Sequence, residues 1–224
     1  MGEPGDTCDP QSLLERPGGV ARRGHRFLAV DRFYDGISGY GSDGAGPNGR
    51  KLRRARARVY GERTPVGTRQ LIAATRLGAG DVFVDLGSGV GKVVLQVALA
   101  IPGVRCIGIE IDSARHAGAC EALRRAEACG ALEPGRCVLL HGDMRRADLG
   151  TATVLFAHST CFPAAMLGSL ARRIAAQDRQ VTLVTTKPLP DRAAKLLTFA
   201  ATRACQLSWD KHHRMHLYRC RVDG

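Results

Sequence analysis

A glycine-rich turn between an apolar strand and an apolar helix constrains the fold of this chain more than any other feature. The turn reads Gly87-Ser88-Gly89-Val90-Gly91 and follows the apolar run Val82-Phe83-Val84-Asp85. Glycines let a backbone turn sharply and come close to a ligand, and the helix that follows offers free N–H groups at its start. This unit predicts an open sheet of parallel strands that binds a ligand at the carboxyl ends of the strands.

The rest of the chain alternates between strand and helix patterns. We predict strands over residues 81–85, 104–109, 136–140, 153–157 and 180–185, and helices over residues 68–77, 91–100, 113–129 and 162–176. Most of the strands are continuous apolar runs, which is typical of parallel strands covered on both faces. Two last strand-like runs, 205–209 and 215–222, are separated by a hairpin-length connection and predict an antiparallel pairing. The predicted fold is a doubly wound α/β domain with a mainly parallel, seven-stranded Rossmann-like sheet and a C-terminal antiparallel strand.

Acidic residues follow three successive predicted strands. Asp85 ends the first strand, Glu110 ends the second, and Asp143 with Met144 comes after the third. An acid about 20 residues past a glycine turn is placed to accept hydrogen bonds from ribose hydroxyls. An acid directly before the turn suits an ammonium or a sulfonium group. One after the third strand suits an adenine amino group, with the methionine packed on the ring.

The spacing of the turn separates two classes of ligand. The dinucleotide fingerprint G-x-G-x-x-G has its third glycine after two residues, whereas this chain has G-x-G-x-G followed by Lys92. The turn and its three acids together resemble the arrangement in S-adenosylmethionine-dependent enzymes, whose ligand carries an ammonium and a sulfonium and no pyrophosphate. S-adenosylmethionine is therefore the expected cofactor, and the alternative is the dinucleotide of a dehydrogenase.

Basic residues dominate the charge of the chain. It carries a formal net charge of +12, and six of the nine residues from Arg50 to Arg58 are cationic. A polyanionic partner such as nucleic acid or a nucleosome would explain this balance, and so would the Arg- and Ala-rich composition of a GC-rich genome. Residues 1–58 are Gly- and Arg-rich with little periodicity. We therefore expect a basic, flexible N-terminal arm over 1–58, followed by one folded domain over 59–224.

Other side chains give weaker indications. The eight cysteines form no C-x-x-C pair, so we expect buried, reduced thiols and no zinc cluster. The run Lys211-His212-His213-Arg214-Met215-His216 is expected to be an exposed basic turn without a metal, and Trp209 is expected to pack on the sheet. No apolar run reaches about 18 residues, so we expect neither a membrane span nor a membrane partner.

Three segments of the sequence resemble one known enzyme family. They are Val59-Tyr60-Gly61-Glu62, the run from Val82 to Ala98, and Gly108-Ile109-Glu110. Over residues 60–218 the sequence is similar to the disruptor-of-telomeric-silencing type of histone-lysine N-methyltransferases, which lack a SET domain. The run through Ala98 is much longer than the general motif of S-adenosylmethionine-dependent methyltransferases and is the most specific part of the resemblance.

The resemblance implies roles for individual residues. Tyr60, Gly61 and Glu62 would fold over the cofactor, Glu110 would hold its ribose, and Asp143 with Met144 its adenine. The glycine turn would bind the cofactor through Asp85, Leu86, Gly87, Ser88, Gly89, Gly91 and Lys92. The catalytic residues would be Tyr60, His158, Ser159 and Phe162, and no metal is implied. A substrate lysine would enter a narrow channel and attack the methyl group as a neutral amine, after losing the proton that a free lysine keeps up to a pKa of about 10.4.

Two departures from the family pattern concern the substrate. The family places an Asn-Asn-Phe-type sequence after its fourth strand. This chain has His158 and Ser159 at the asparagine positions, and only Phe156 and Phe162 keep the aromatic character. The family also tends to place a threonine directly after Tyr-Gly-Glu, where this chain has Arg63. His158 is expected to be either a general base or a hydrogen-bonded residue with no chemical role.

The expected function is S-adenosylmethionine-dependent methylation of a lysine in a core histone of the nucleosome. Residues 50–58 would contact nucleosomal DNA, and the protein would act in the nucleus. One alternative is a methyltransferase of the same fold that acts on a non-histone protein, an RNA or a small molecule, with a cytoplasmic location. Another is a module that binds an adenosine ligand without catalysis, although the acids at 85, 110 and 143 argue against it.

Overall fold

The computed structural model describes residues 29–37, 39 and 63–220. The basic segment 50–58 and the predicted cofactor loop Tyr60-Gly61-Glu62 lie outside the described residues. The described residues form the α-helices α1 (Pro65–Thr75), α2 (Lys92–Ala100), α3 (Ser113–Ala128), α4 (Ala164–Ala175) and α5 (Asp191–Ala194). They form the strands β1 (Val82–Leu86), β2 (Arg105–Glu110), β3 (Cys137–His141), β4 (Val154–Ala157), β5 (Thr182–Thr185), β6 (Thr198–Ala204) and β7 (Arg214–Arg219).

The strands of the described residues form one seven-stranded sheet in the order β3-β2-β1-β4-β5-β7-β6. Strands β1 to β5 pair in parallel, whereas β7 is antiparallel to both β5 and β6. The register aligns Asp85 with Phe156 of β4, and Glu110 with His141 of β3, so the carboxyl ends of β1 to β4 meet at one edge. The predicted doubly wound α/β fold, with its mainly parallel seven-stranded sheet and antiparallel C-terminal strand, is confirmed.

Each face of the sheet packs against its own helices, because alternate residues of a strand point to opposite faces. On one face, Phe83 and Phe156 stack with ring centroids 6.5 Å apart, in a core completed by α1, α2 and α3. On the other face, Leu155 and Leu183 pack against α4. The buried residues of α4 recur at the spacing of one helix face, Leu167, Leu170, Ala171 and Ile174, so the helix presents a continuous apolar stripe to the sheet.

Side-chain caps fix where two helices begin. The Thr64 Oγ accepts a hydrogen bond from the N–H of Gly67 at 3.0 Å, and Pro65 occupies the first turn of α1. Both features favour a helix start, so α1 begins three residues before the predicted position 68. Helix α3 begins at Ser113, where the predicted helix 113–129 also begins, and the Asp112 carboxylate caps it by accepting from the N–H of Arg115 at 2.9 Å.

The C-terminal part of the sheet differs from the prediction in one strand. Residues 205–209 were predicted as a strand, but they form a loop that runs against α1, and the strand is β6 instead. The carbonyl of Gln206 in this loop accepts a hydrogen bond from the Thr64 hydroxyl at 3.2 Å. Cys205 and Leu207 are buried, which gives the loop the alternating pattern of a strand. Strand β6 is exposed along most of its length and therefore has no apolar pattern to detect.

A 3-10 helix at Ala29–Tyr34 packs against α3, although the sequence predicted a flexible arm over 1–58. Val30, Phe33 and Tyr34 are buried in the core. Arg125 of α3 donates hydrogen bonds to two backbone carbonyls of this segment, those of Phe33 at 3.2 Å and Asp35 at 2.7 Å. The 3-10 helix therefore belongs to the folded domain, because its apolar side chains complete one face of the core. The rest of the arm stays a prediction.

The cysteines of the described residues are only partly buried. Cys106, Cys137, Cys205 and Cys220 are buried and form no disulfide with another described cysteine, but Cys120 and Cys161 are exposed. The expectation of buried thiols was therefore wrong for two positions, where the side chains lie on α3 and at the end of a 3-10 turn. In the stretches that the structure describes, no helix has both the length and the apolar character needed to cross a membrane.

Candidate active site

The glycine turn after β1 adopts backbone conformations that favour glycine. Gly87 and Gly89 have φ angles of 82° and 58°. The N–H groups of Gly87 and Ser88 both donate to the carbonyl of Ile109, at 2.8 and 3.0 Å, which ties the turn to the end of β2. A side chain at position 87 would meet the Phe162 ring at 3.2 Å, so the turn passes close under an aromatic ring. These conformations and hydrogen bonds fix the backbone of the turn next to the space above the strand ends.

A cavity of about 360 Å³ lies at the carboxyl ends of β1, β2 and β4, next to this turn. Its lining comes from the glycine turn, the end of β2, the loop after β3 and the segment after β4, namely Gly87, Gly89, Ile109, Glu110, Ile111, Arg115, Gly142, Asp143, Met144, Arg145, His158, Thr160, Cys161, Phe162 and Met166. The volume lies within the range of about 300–1,000 Å³ that is usual for small-ligand pockets.

The Glu110 carboxylate forms part of the wall and is held by backbone donors. Its Oε2 accepts from the N–H of Gly89 at 2.7 Å, and its Oε1 accepts from the N–H of Asp112 at 2.8 Å. The side chain is almost fully buried, so these two bonds fix its orientation. A carboxylate oxygen has two lone pairs, and each oxygen therefore keeps one for a ligand. This geometry suits a vicinal diol, whose two hydroxyls can donate to one carboxylate.

The loop after β3 supplies Asp143 and Met144 to the wall and starts beside Glu110, whose carbonyl accepts from the N–H of Gly142 at 2.9 Å. Arg145 donates to both carboxylate oxygens of Asp143, at 2.9 Å from Nε to Oδ1 and 2.5 Å from Nη2 to Oδ2. Hydrogen bonding to Arg145 lowers the pKa of Asp143, so the carboxylate is ionised near neutral pH. An ionised carboxylate beside a thioether can accept from an amino group while the thioether packs on the attached ring.

Asp85 lies beneath the turn with its charge almost out of reach of water. The side chain is 2% exposed, and its Oδ1 has no hydrogen-bond partner among the described residues. Burial raises the pKa of Asp85 from 3.8 to about 7, an effect that Arg63 opposes and Glu110 reinforces. Buried polar atoms almost always have a partner, so Oδ1 leaves one acceptor available beneath the turn, although Asp85 does not itself line the cavity.

Arg63, to which the sequence assigned no role, is buried beside Asp85. Its guanidinium carbon lies 4.6 Å from the centre of the Phe156 ring, and its Nη2 is 2.8 Å from the Cys205 sulfur. Its Nε and Nη1 have no hydrogen-bond partner in the part of the chain that the structure describes. Burial lowers the pKa of Arg63, while Cys205 and Asp85 raise it. The only sequence signal for this residue is that it stands where the family tends to have a threonine.

His158 lines the cavity on the β4 side and stacks on Trp209. The two rings are 5.6 Å apart and almost parallel, with 2° between their planes. Burial, together with the charges of Arg63 and His213, lowers the pKa of His158 from 6.5 to about 4. The imidazole is therefore neutral near pH 7, and its Nε2 has no hydrogen-bond partner among the described residues. We refer to Arg63, Asp85 and His158 together as the buried charge cluster.

Ser159 and Phe162, the other described residues predicted to be catalytic, differ in their position. Phe162 lines the cavity. Ser159 is fully buried, and its Oγ accepts from the N–H of Lys187 at 2.9 Å and lies 3.4 Å from the Thr186 hydroxyl. The Ser159 hydroxyl therefore joins the segment after β4 to the segment after β5, outside the cavity lining. Tyr60 lies outside the described residues.

Several residues predicted to bind the cofactor do not line the cavity. The Leu86 side chain is in the core, and Gly91 begins α2 behind the turn. The Lys92 ammonium points away, 3.7 Å from the Asp31 carboxylate and 5.3 Å from the centre of the Tyr34 ring. Lys92 thus connects α2 to the N-terminal 3-10 helix. Gly61 and Glu62 lie outside the described residues, as does Tyr60.

The structure differs from the sequence-based expectation at Trp209 and in the loop that carries it. Trp209 is 48% exposed in the 205–213 loop, so the expectation that it packs on the sheet was wrong. His213 holds this loop: its Nδ1 is 3.1 Å from the Asp210 carboxylate and its Nε2 is 2.9 Å from the Thr186 carbonyl.

Among the described residues, no group of three or more His, Cys, Asp or Glu is arranged to hold a metal ion.

The family model described as "Histone methylation protein DOT1" matches residues 47–216. The chain belongs to this family. A histone-lysine N-methyltransferase of Aspergillus fumigatus, described as specific for lysine 79 of histone H3, is 42% identical over 92 residues, which cover 38% of this chain and 17% of the relative. The Drosophila melanogaster protein of the same description is 48% identical over 52 residues, which cover 23% of this chain and 3% of the relative. The chain thus matches less than a fifth of either relative.

Solved structures show the same fold at low sequence identity. TrmN from Thermus thermophilus superposes with a TM-score of 0.53 at 19% identity, over 73% of this chain and 50% of its own. An RNA methyltransferase from Salinibacter ruber, in complex with S-adenosyl-L-homocysteine, superposes with a TM-score of 0.51 at 21% identity, over 71% of this chain and 93% of its own. The Salinibacter ruber protein is a methyltransferase by name, and at these identities the likeness shows a shared fold.

S-adenosylmethionine is the cofactor of this DOT1-family chain, and the residues present fit it. The unpaired Asp85 oxygen offers an acceptor for the ammonium group, and the Glu110 carboxylate is held by two backbone N–H groups with lone pairs left for the ribose. The wall also has apolar side chains for the adenine and the methionine chain, among them Ile109, Met144 and Phe162.

Proposed function

We propose that the chain is an S-adenosylmethionine-dependent protein-lysine N-methyltransferase whose substrate is a core histone in the nucleosome. The observation that carries the proposal is the match of residues 47–216 to the DOT1 family, over a cavity walled by Glu110 and Asp143 with Asp85 beneath it. The relatives named as specific for lysine 79 of histone H3 support a histone as the substrate.

The roles of the site residues follow from their chemistry. Glu110 holds the ribose, Asp143 and Met144 hold the adenine, and Asp85 binds the ammonium group beneath Gly87 and Gly89. Held in this way, the cofactor would supply an electrophilic methyl group to the neutral amine of a substrate lysine. The contribution of the protein is to hold the two reactants in line in a site with little water.

The segment after β4 acts on the acceptor side in this proposal. His158 and Phe162 line the cavity, and the stacked Trp209 extends the aromatic wall to the surface. A lysine ammonium must lose a proton before it can attack, and burial beside a cation disfavours its charged form. With a pKa of about 4, His158 is a weak base, so we assign it to orienting the neutral amine as a hydrogen-bond acceptor rather than to removing the proton.

Two further parts of the proposal concern partners and location. Residues 50–58 contact nucleosomal DNA, because six cations in nine residues neutralise phosphates and release counterions. The protein acts in the nucleus, in keeping with a histone substrate. The residues Tyr60, Gly61 and Glu62 fold over the bound cofactor, as the resemblance to the family implies.

The test is methyl transfer from radiolabelled S-adenosylmethionine by the full chain to intact nucleosomes, free core histones, RNA and buffer. We expect label on a histone in nucleosomes, and a loss of at least about a hundredfold in Glu110→Ala, which removes two charged hydrogen bonds to the ribose. The matched control is Glu133→Ala, because Glu133 is an exposed glutamate before β3, away from the cavity.

The basic segment is tested by replacing its six cations with serine. A deletion of residues 1–58 is unsuitable, since it would also remove the buried 3-10 helix at Ala29–Tyr34. We expect the serine variant to lose activity on nucleosomes and much of its salt dependence, with cofactor affinity unchanged. Cofactor binding without label on any histone would sink the proposed substrate.

A second candidate, methylation of a non-histone acceptor, is favoured by one observation. The acceptor side of the cavity carries His158 next to the buried Arg63 cation, where the family has an asparagine and tends to have a threonine. In the same assay, label on RNA or on a small molecule, with nucleosomes unlabelled, would establish this candidate instead.

A further inference from the structure

The loop between β3 and β4 has no regular structure of its own, yet it builds one wall of the cavity. Residues 142–153 form turns, and four consecutive residues of the loop, Gly142, Asp143, Met144 and Arg145, line the cavity. Few backbone hydrogen bonds form within the loop. Two of them run from the N–H groups of Arg146 and Ala147 to the carbonyl of Asp143, at 2.9 and 3.1 Å. A wall of this kind needs support from outside the loop, because loop backbone carbonyls must find donors elsewhere.

Two arginines on one side of the loop supply that support. Arg173, in the last turn of α4, donates from Nη1 to the carbonyl of Met144 at 2.8 Å and from Nη2 to the carbonyl of Ala147. Arg179 donates from Nη2 to the carbonyl of Leu149 at 2.7 Å and from Nη1 to the carbonyl of Ala152. We call Arg173 and Arg179 the arginine clamp.

The two halves of the clamp hold different parts of the loop. Arg173 binds the carbonyl of Met144, which itself lines the cavity, and its second bond reaches Ala147 three residues on. Arg179 binds the stretch that leads into β4, and neither of its two carbonyl partners belongs to a residue that lines the cavity. The planar guanidinium can hold two carbonyls at a fixed spacing, which a lysine ammonium cannot do with the same geometry.

We infer that Arg173 is a positioning residue that sets the specificity of the site for adenine. It acts through the backbone of Met144 and the adjacent Asp143, and it fixes the distance from the Asp143 carboxylate to the cavity wall formed by α4, where Met166 lies. This inference rests on the proposed function for its premise that Asp143 accepts a hydrogen bond from the adenine amino group. A site built to bind an amino group strongly rejects an analogue that lacks it only while the acceptor is held in place.

The test uses the full chain and two ligands, S-adenosylhomocysteine and S-inosylhomocysteine, which carries an oxygen in place of the adenine amino group. Affinities are measured by calorimetry for the unaltered protein, Arg173→Met, Arg173→Lys and Arg179→Met. The unaltered protein should prefer the adenosyl ligand by about tenfold or more, the equivalent of one charged hydrogen bond. In Arg173→Met this preference should fall to nearly onefold, through weaker binding of the adenosyl ligand alone.

The control variants separate positioning from general stability. Arg179→Met removes the same two types of hydrogen bond and should lower the melting temperature about as much as Arg173→Met, but it should keep the full preference for the adenosyl ligand. Arg173→Lys keeps the charge and one donor, and it should show an intermediate preference.

Two results would decide against the assignment. The inference is overturned if Arg173→Met keeps the full preference, or if Arg179→Met loses it to the same extent. Failure of the unaltered protein to bind S-adenosylhomocysteine at all would instead overturn the proposed function, and with it the premise of the inference.

Discussion

The buried charge cluster, which contains Arg63, and the arginine clamp lie beside the site. Their arginines differ in how many of their N–H donors have a hydrogen-bond partner. In the buried charge cluster, Arg63 contacts the Phe156 ring and two sulfur atoms, and two of its nitrogens have no hydrogen-bond partner among the described residues. In the arginine clamp, Arg173 and Arg179 each donate to two backbone carbonyls. The first group lies on the face of the sheet covered by α1 and α2, and the second lies beside α4.

Arginine side chains therefore have two different roles in this protein. The clamp replaces secondary structure, since it supplies donors to carbonyls of a loop that has neither helix nor strand. The buried charge cluster forms few hydrogen bonds, and it holds ionisable groups away from water beside the cavity. Groups in such surroundings have shifted pKa values, as Asp85 and His158 do, and strongly shifted pKa values are common at functional sites.

The largest expected effect is on folding stability when the charge of Arg63 is removed alone. In Arg63→Met the buried Asp85 loses the cation that opposes the rise of its pKa, and leaving a buried charge uncompensated costs about 3–5 kcal/mol. We expect the free energy of unfolding in urea at pH 8 to fall by an amount in this range. The double variant Arg63→Met/Asp85→Leu should recover most of it, because it leaves no unpaired charge in the core. Failure of the double variant to recover stability would show that Arg63 acts by packing alone.

The next effect concerns pH, where Asp85 and His158 act in opposite directions. The folded-state pKa of Asp85 is raised from 3.8 to about 7, so its contribution to stability is lost as pH rises through that interval. The folded-state pKa of His158 is lowered from 6.5 to about 4, so its contribution grows as pH rises from about 4 to 6.5. In the unaltered protein these two contributions offset each other between about pH 4 and 6.5.

Single substitutions should expose each contribution. Relative to the unaltered protein, Asp85→Asn should gain stability as pH rises from 4.5 to 6.5, and His158→Gln should lose it, each by roughly 1–3 kcal/mol. Urea unfolding at the two pH values measures this change. Parallel pH profiles for the two variants would contradict the opposite signs that the burial of these groups requires.

The smallest effect belongs to the clamp and should not depend on pH. Arg179→Met removes two hydrogen bonds from a charged donor to half-buried carbonyls and should destabilise the fold by about 1–2 kcal/mol. The loss should be the same at pH 5, 7 and 9, because backbone carbonyls do not titrate. A loss that changed with pH would mean that the clamp is coupled to an ionisable group, and the contrast between the two regions would disappear.

The sequence predicted the sheet and the place of three acids at its edge because both signals are local. Asp85, Glu110 and Asp143 each follow a strand whose apolar run is continuous, and parallel strands bring such positions to one edge. Strand β6 gave no such signal, because an exposed edge strand has no apolar pattern. The loop at 205–209 gave a misleading one, because Cys205 and Leu207 alternate as they would in a strand but are buried against α1.

The support of the site could not be predicted, since it depends on contacts between residues far apart in the chain. Arg173 reaches a carbonyl 29 residues earlier, and Arg63 lies against Cys205, 142 residues later. Nothing in the pattern around either arginine distinguishes it from the many exposed arginines. Lys92 shows the converse: it follows the glycine turn in the sequence, but its ammonium lies 3.7 Å from the Asp31 carboxylate of the N-terminal segment.

The stacking of His158 on Trp209 gives the protein an optical reporter of its own site. The chain has one tryptophan, so all of its indole emission comes from a ring that lies flat against a side chain of the cavity wall. Trp209 is 48% exposed. Any molecule that displaces water at the cavity mouth, or any change that tilts the imidazole, alters the surroundings of this single fluorophore. Occupancy of the site can therefore be followed in the unlabelled protein, without background from a second tryptophan.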